Sequence, residues 1–269
     1  MSVALPRPLA EMPDRVRRSI RVVLTDIDDT LTTEGKLTAE AYSALQRLHA
    51  AGKLVVPVTG RPAGWCDHIA RMWPVDAVVG ENGALYMRYD AARRTLVRRF
   101  VASDAARAAQ RARLAAIGEE ILAAVPGSAL ASDQHYRETD LAIDYCEDVP
   151  PLARVDVDRV VATMEAHGMT AKVSSIHVNG WFGTYDKLAM TRTLMREVFA
   201  HDLDAHRDAF VFVGDSPNDA PMFAFFPHTV GVANLHRFLD RIPTPPAYIT
   251  AREAGAGFAE LADFLLDAT

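Results

Sequence analysis

The sequence is poor in cysteine and has no long apolar run. Its two cysteines, Cys66 and Cys146, lack the CxxC or metal-site spacing of redox and zinc proteins. A disulfide-stapled secreted fold is therefore excluded, and we expect a reduced, cytoplasmic setting. No apolar stretch approaches the roughly 20 residues of a transmembrane helix, so no membrane partner is predicted.

Basic residues are fewer than acidic ones. Lys and Arg number 29 against 35 Asp and Glu, which gives a net charge of −6, and no basic block stands out. Nucleic acid is therefore not predicted as a partner. The 269 residues, 49% of them hydrophobic, suffice for one large domain or two modest ones. Residues 1–20 carry three prolines and lack the apolar middle region of a signal peptide, which predicts a loose N-terminal extension.

The stretch from Val22 to Leu31 is the most informative part of the chain, because apolar β-formers run directly into carboxylates. Such a run predicts a buried strand of a parallel sheet, and ligands bind beyond the carboxyl ends of such strands. If the strand geometry persists, Asp26 and Asp28 point the same way. Two neighbouring carboxylates repel each other unless a cation or a shared proton compensates them, which favours Mg²⁺. An ordinary turn or helix cap is the alternative.

Helix and strand patterns alternate on both sides of a long central segment. The predicted elements are helix 39–51 with Thr38 as its N-cap, strand 53–58, helix 63–72, strand 77–79, and then helix 187–199, strand 209–213, strand 229–232 and helix 257–266. This alternation predicts an α/β fold, a Rossmann-like doubly wound parallel sheet with right-handed crossovers.

The central segment has a different pattern. It predicts a hairpin over 84–89 and 95–101, helices over 103–125 and 155–168, and strands over 141–145, 170–175 and 176–181. We interpret it as an inserted α+β domain at 84–183. The predicted core is then 21–83 and 184–269, preceded by the extension at 1–20.

Four strand exits or helix starts carry compatible chemistry. Asp26 and Asp28 form the first, and the hydroxyl and open amides of Thr59-Gly60 can hold a phosphate oxygen at the second. Lys187 opens a predicted helix as a point charge suited to an anion. The fourth follows another apolar strand and contributes Asp215, Asn218 and Asp219.

These motifs together resemble the haloacid dehalogenase superfamily of aspartyl-phosphate hydrolases. The matching segments are Asp26-Ile27-Asp28-Asp29-Thr30-Leu31, Val58-Thr59-Gly60-Arg61-Pro62, Lys187, and Gly214-Asp215-Ser216-Pro217-Asn218-Asp219. An insert between the second and third motifs is similar to the α/β cap of the Cof-type sugar phosphatases (subclass IIB), and Glu81-Asn82-Gly83-Ala84 resembles their junction with the cap. Two positions depart from the pattern, since Asp29 and Leu188 stand where glycine is usual.

The resemblance implies a role for each motif residue. Asp26 would be the nucleophile, and Asp28 would act as general acid and then general base. Mg²⁺ would be bound by Asp26, Asp28 and Asp215, with Asp219 supporting it through water. Phosphate and substrate contacts are expected from Thr59, Gly60, Arg61, Lys187 and Asn218. The cap strand adds His177 and Asn179 as candidate substrate residues.

The resemblance implies a Mg²⁺-dependent phosphatase that acts on a small phosphorylated metabolite, a sugar phosphate. A halide leaves without a proton, so Asp28 argues against dehalogenation. A sugar phosphomutase of the phosphomannomutase type, and a non-catalytic ligand-binding homologue, are the alternatives. The sequence carries no prediction of oligomeric state.

Overall fold

The computed structural model describes residues 5–267. Its strands are β1 (Arg7–Pro8), β2 (Val22–Thr25), β3 (Thr32–Thr33), β4 (Lys36–Leu37), β5 (Leu54–Pro57), β6 (Val78–Gly80), β7 (Leu85–Asp90), β8 (Thr95–Phe100), β9 (Ala129–Leu130), β10 (Asp140–Asp144), β11 (Thr170–Val173), β12 (His177–Trp181), β13 (Phe210–Gly214), β14 (Thr229–Gly231) and β15 (Tyr248–Ile249). Its helices are α1 (Asp14–Ser19), α2 (Ala39–Ala50), α3 (Ala63–Met72), α4 (Asp104–Ala124), α5 (Arg154–Ala166), α6 (Lys187–Phe199), α7 (Leu203–His206), α8 (Ala220–Phe225) and α9 (Ala254–Leu266).

Six strands form a parallel sheet in the order β1-β15-β14-β13-β2-β5. Its central strands are buried on both faces, because alternate side chains enter two different clusters. Val23 packs with α2, α3 and α9 on one face, whereas Val22 and Leu24 pack with α6 and α8 on the other. The predicted α/β fold with a doubly wound parallel sheet is confirmed.

A second sheet lies within the insert and is antiparallel, in the order β11-β12-β10-β9. Helices α4 and α5 cover it, and together they form a separate apolar cluster that includes Ile121, Ile143 and Val160. We call residues 101–183 the cap unit, and residues 5–100 with 184–267 the core unit.

The hairpin β7–β8 packs with the core unit. Strand β7 pairs with β6, and its residues Leu85 and Met87 belong to the same apolar cluster as Ile69 of α3. The hairpin thus shares the apolar cluster of the core unit, and the separate apolar cluster of the insert is formed by residues that follow it.

The N-terminal segment is not loose, and that prediction was wrong for the residues that the structure describes. Strand β1 pairs with β15 at the edge of the parallel sheet, and Leu9 and Met12 are buried in the core. The guanidinium of Arg17 lies 4.9 Å from the centre of the Phe264 ring. Apolar side chains between the prolines thus anchor the segment; residues 1–4 lie outside the described part.

Most predicted elements of the core are present near their expected bounds. Thr38 caps α2 by accepting a hydrogen bond from the Ala41 amide, and α6 runs from Lys187 to Phe199 as predicted. The small hairpin β3–β4 was not predicted. Its turn uses Glu34 and Gly35, both at positive φ, as a two-residue hairpin turn requires. Across residues 5–267, no helix combines the length and apolar character needed to cross a bilayer.

Candidate active site

Asp26 lies immediately beyond β2, in the middle of the parallel sheet. Its amide donates to the Val213 carbonyl of the neighbouring β13 at 2.9 Å, so the two strand ends stay side by side. The loop after β13 brings Asp215 and Asp219 to the same edge. One carboxylate oxygen from each of Asp26, Asp215 and Asp219 lies within 4.8 Å of the others, and all three residues are buried.

Lys187 connects two of these acids. It is the first residue of α6, whose N-terminus is capped by Asp186 accepting from the Ala189 amide at 2.7 Å. Its Nζ lies 2.7 Å from Asp26 Oδ1 and 2.7 Å from Asp219 Oδ1. Burial opposes the charge on Lys187, but the carboxylates of Asp219 and Asp26 outweigh it and raise the pKa of the lysine.

When ionised, the three acids carry more negative charge than Lys187 can neutralise. Burial raises the pKa of Asp26 to about 8 despite the attraction of Lys187. Burial and the neighbouring carboxylates of Asp26 and Asp219 also raise the pKa of Asp215 well above its ordinary value. A buried cluster of carboxylate oxygens with excess negative charge fits a hard divalent cation.

The hydrogen bonds separate the roles of Asp215 and Asp219. Both oxygens of Asp219 already accept hydrogen bonds. Oδ1 accepts from Lys187. Oδ2 accepts from the Asp215 amide at 3.1 Å and from the Ser216 amide at 3.4 Å. Asp215 accepts only at 3.3 Å from Thr30 Oγ1 and at 3.4 Å from Asn234 Nδ2. Asp215 therefore suits direct contact with a cation, and Asp219 suits a supporting position.

Asp28 is held by Arg61, which follows β5. Arg61 Nε donates to Asp28 Oδ1 at 2.9 Å, and Nη2 lies 2.8 Å from the same oxygen. The same guanidinium reaches into the cap unit, 2.6 Å from Glu147 Oε1 and 3.3 Å from Asp133 Oδ2. Its face lies over Trp65, 4.5 Å from the ring centre. In this arrangement the donors of Arg61 bind carboxylates.

Glu147 is a site residue that the sequence analysis did not identify. His177 Nε2 lies 2.8 Å from Glu147 Oε2. Burial opposes ionisation of Glu147, but the contacts with His177 and Arg61 outweigh it and lower the pKa to about 2. No local sequence pattern marks Glu147, since its partners lie on β12 and on the loop after β5.

The predicted site residues from both units meet around one small cavity. It is lined by Asp26, Asp28, Gly60, Arg61, His177, Asn179 and Asn218. Its volume is about 10 Å³, which is about the space of a single water molecule. The core and cap units are therefore closed on each other above Asp26.

Thr59 and Gly60 shape this cavity from the core side. The buried Thr59 Oγ1 accepts from the Arg61 amide at 3.0 Å, so its hydroxyl is engaged in the loop itself. The Gly60 carbonyl accepts from Arg137 Nη1 of the cap unit at 2.9 Å. A Cβ at Gly60 would lie 3.1 Å from the side-chain amide of Asn82, which favours the small residue here.

Two further predicted residues are fixed by neighbours on their own unit. Asn218 Oδ1 accepts from Ser216 Oγ at 2.8 Å at the start of a one-turn 3₁₀ helix. Asn179 Nδ2 donates to Asp140 Oδ2 at 3.1 Å on the adjacent strand of the cap unit. Both side chains thus keep a defined orientation at the cavity wall.

Glu81 belongs to the segment that resembles a junction with the cap, but the sequence did not indicate what its carboxylate contacts. Its buried carboxylate accepts from the Ala63 amide at the start of α3 and from the Glu138 and Thr139 amides of the cap unit, at 2.9, 2.9 and 2.7 Å. Burial raises the pKa of Glu81 to about 7. This carboxylate therefore joins the two units beside the cavity.

Comparison with known proteins gives one family and a shared fold. Residues 23–113 match the haloacid dehalogenase-like hydrolase family. No curated protein matches the chain in sequence. Among solved structures, the chain is similar to the C-terminal domain of trehalose-6-phosphate phosphatase from C. albicans, with a TM-score of 0.72, 13% identity and 99% of each chain covered.

Two other structures extend the similarity. A HAD/Cof-like hydrolase from Plasmodium vivax has a TM-score of 0.67 and 17% identity, with 94% of this chain and 97% of that chain covered. The sucrose-phosphatase of Synechocystis sp., solved with sucrose and phosphate, has a TM-score of 0.59 and 16% identity, with coverage of 92% and 98%. At these identities the likeness shows the fold.

Proposed function

We propose that the chain is a haloacid dehalogenase-like hydrolase, on the match of residues 23–113 and on its fold, and that it acts as a Mg²⁺-dependent phosphatase. The proposed substrate is a small phosphate monoester, a sugar phosphate, and the proposed intermediate is an aspartyl phosphate. One observation carries the proposal. Lys187 Nζ lies 2.7 Å from Asp26 Oδ1, and Asp26 and Asp28 line the same small cavity.

In the first step, a carboxylate oxygen of Asp26 attacks phosphorus and the bond to the leaving-group oxygen breaks. Asp28 gives its proton to that oxygen. In the second step, Asp28 takes a proton from water, whose oxygen attacks the phosphorus of the aspartyl phosphate. The bond between Asp26 and phosphorus breaks and inorganic phosphate leaves, so that Asp26 is again a carboxylate and Asp28 is again protonated.

Lys187 and the neighbouring backbone orient the phosphoryl group. The ammonium of Lys187 keeps Asp26 in place and offsets charge on the transferring oxygens. Gly60, without a side chain, lets a phosphate oxygen approach the backbone beside Asn218. When bound, Mg²⁺ neutralises the charge that develops on those oxygens; the carboxylates of Asp26 and Asp215 and the Asp28 carbonyl would hold it, with Asp219 in support.

The cap unit is proposed to recognise the leaving group. His177, Asn179 and Glu147 come from the cap unit and lie against Asp28 and Arg61 of the core unit. The 10 Å³ cavity cannot admit a sugar phosphate while the units are closed, so the cap unit must open for binding and release. The similarity to trehalose-6-phosphate phosphatase and sucrose-phosphatase supports a sugar as leaving group.

The test is phosphate release from a panel of hexose phosphates and an aryl phosphate, with Mg²⁺ and without any bisphosphate. We expect the unmodified chain to hydrolyse at least one hexose phosphate and the Asp26→Asn variant to hydrolyse none. Acid-quenched enzyme should carry phosphate on Asp26, detected by mass spectrometry of the peptide. Turnover that requires a hexose bisphosphate would instead identify a phosphomutase. Binding without turnover of any ester would identify a non-catalytic homologue.

A further inference from the structure

Asp29 adopts a backbone conformation that usually favours glycine. Its φ is 55°, in the left-handed region, where a side chain is disfavoured relative to glycine. Two contacts hold this conformation: the Asp29 amide donates to Thr32 Oγ1 at 3.1 Å, and its carbonyl accepts from Asn234 Nδ2 at 2.9 Å. The direction in which the Asp29 side chain leaves the backbone is therefore fixed by the loop.

The side chain of Asp29 lines an open groove next to the closed cavity. The groove has a volume of about 360 Å³ and lies between the β3–β4 hairpin and the cap unit. It shares Asp28, Arg61 and Ile176 with the cavity above Asp26. Ser175 of the cap unit faces Asp29 across it. A leaving group protonated by Asp28 would extend into this groove.

The groove has a surplus of hydrogen-bond acceptors. Four carboxylates line it, those of Asp28, Asp29, Glu34 and Glu147, against the single guanidinium of Arg61. That guanidinium is already bound to Asp28 and Glu147. A second cation within reach of Asp29, Arg237, is paired with Glu253 at 3.0 Å. Ser175 also approaches the Asp29 carboxylate, but the two oxygens keep further acceptor capacity at the groove.

On the basis of the function proposed above, we propose that Asp29 is a specificity-determining residue of this enzyme. It selects leaving groups that donate hydrogen bonds, such as the hydroxyls or ammonium group of a sugar, and disfavours leaving groups that carry a second negative charge. The physical reason is that a like charge placed against Asp29 is repelled, whereas a hydroxyl donor is bound.

The test compares Asp29→Asn and Asp29→Gly with the unmodified full chain. Asparagine tolerates the left-handed conformation and keeps the size but not the charge, and glycine removes the side chain together with its strain. Three probes are used at saturating Mg²⁺: an aryl phosphate, glucose 6-phosphate and glucose 1,6-bisphosphate. Asp208→Asn serves as control, because it removes one exposed carboxylate from outside the groove.

In both Asp29 variants, we expect the ratio of kcat/KM for glucose 6-phosphate to kcat/KM for glucose 1,6-bisphosphate to fall about tenfold or more. The change should arise in KM, because each variant removes one like-charge contact with the bisphosphate. The ratio and the kcat for the aryl phosphate should stay unchanged in Asp208→Asn, and the Asp29 variants should change kcat/KM for the aryl phosphate less than kcat/KM for the bisphosphate. An unchanged ratio overturns the inference, and so does an equal loss on all three probes, which would make Asp29 a structural loop residue. If the unmodified chain hydrolyses no ester, the proposed function itself fails.

Discussion

The Arg61 guanidinium of the core unit lies 2.6 Å from Glu147 Oε1 of the cap unit. Because the same guanidinium lies 2.8 Å from Asp28 Oδ1, one side chain connects the proposed catalytic acid to the cap unit. Closure of the cap unit and the environment of Asp28 are therefore coupled through Arg61. Opening of the cap unit would separate Glu147 from Arg61, and the guanidinium would keep its contact with Asp28.

Removing the charge of Glu147 should weaken closure. For Glu147→Gln we expect kcat/KM on a sugar phosphate to fall about tenfold, since a hydrogen bond to a charged group contributes about 1.5–3 kcal/mol and this side chain is partly solvated. An aryl phosphate, which makes fewer contacts with the cap unit, should lose less. The matched control is Glu138→Gln, whose carboxylate pairs with Arg107 and Arg111. Equal losses on both substrates would contradict a closing role for Glu147.

The sequence predicted most accurately those elements that are determined by a local residue pattern. Helix α6 was predicted to the residue, because Asp186 caps its start and its apolar face is regular. The β3–β4 hairpin was missed because strands of two residues carry no periodicity, although Glu34-Gly35 is a turn signal. The contacts of Glu147 and Glu81 could not be predicted from the sequence, since they form only when the cap unit packs against the loops after β5 and β6.

Activity should depend on a divalent cation. Buried Asp26, Asp215 and Asp219 repel each other when ionised, so Mg²⁺ should also raise the temperature of unfolding, because binding to the folded state alone adds about 2.7 kcal/mol at a hundredfold excess over Kd. Metal-stripped protein is compared with and without Mg²⁺ by phosphate release and thermal unfolding. Asp215→Asn should lose both effects. Full turnover in excess EDTA would show that no such cation is used.

The two acids after β2 should have different roles. Asp26→Asn should abolish turnover, because an amide is a poor nucleophile. Asp28→Asn should fold normally and lose roughly 10²–10⁴ in kcat on a sugar phosphate, the usual contribution of general acid–base catalysis. Its loss on an aryl phosphate should be smaller, since that leaving group needs little protonation. Steady-state kinetics on both substrates decide the point, and equal losses would argue against an acid role for Asp28.

Glu81 should make stability depend on pH. Its pKa rises from 4.5 to about 7 on folding because the carboxyl group is buried, so the folded state binds this proton more tightly than the unfolded state does. The contribution of Glu81 to stability is then fully present below pH 4.5 and is lost as pH rises toward 7. Urea unfolding at pH 5 and pH 7.5 should show a smaller fall in unfolding free energy for Glu81→Gln than for the unmodified chain. Identical falls would exclude Glu81 as the titrating group.

The cap unit should be removable without loss of the core fold. The ends of the excised segment lie close together: the Val101 amide donates to the Ala84 carbonyl at 2.8 Å, and Gly83 approaches the Asp186 carbonyl so closely that a Cβ at Gly83 would overlap it. A short Gly/Ser linker can therefore replace residues 102–183 and keep the β7–β8 hairpin on α3.

This cap-deleted protein should bind Mg²⁺ and hydrolyse an aryl phosphate slowly, because Asp26, Asp28, Lys187 and Asp215 all remain. It should no longer distinguish among sugar phosphates, since His177, Asn179 and Glu147 are gone and water enters the site. The measurement is kcat/KM across a sugar-phosphate panel for the intact and deleted proteins, with circular dichroism to establish that the core is folded. A folded core that keeps the preference order of the intact protein would place specificity in the core unit and not in the cap unit.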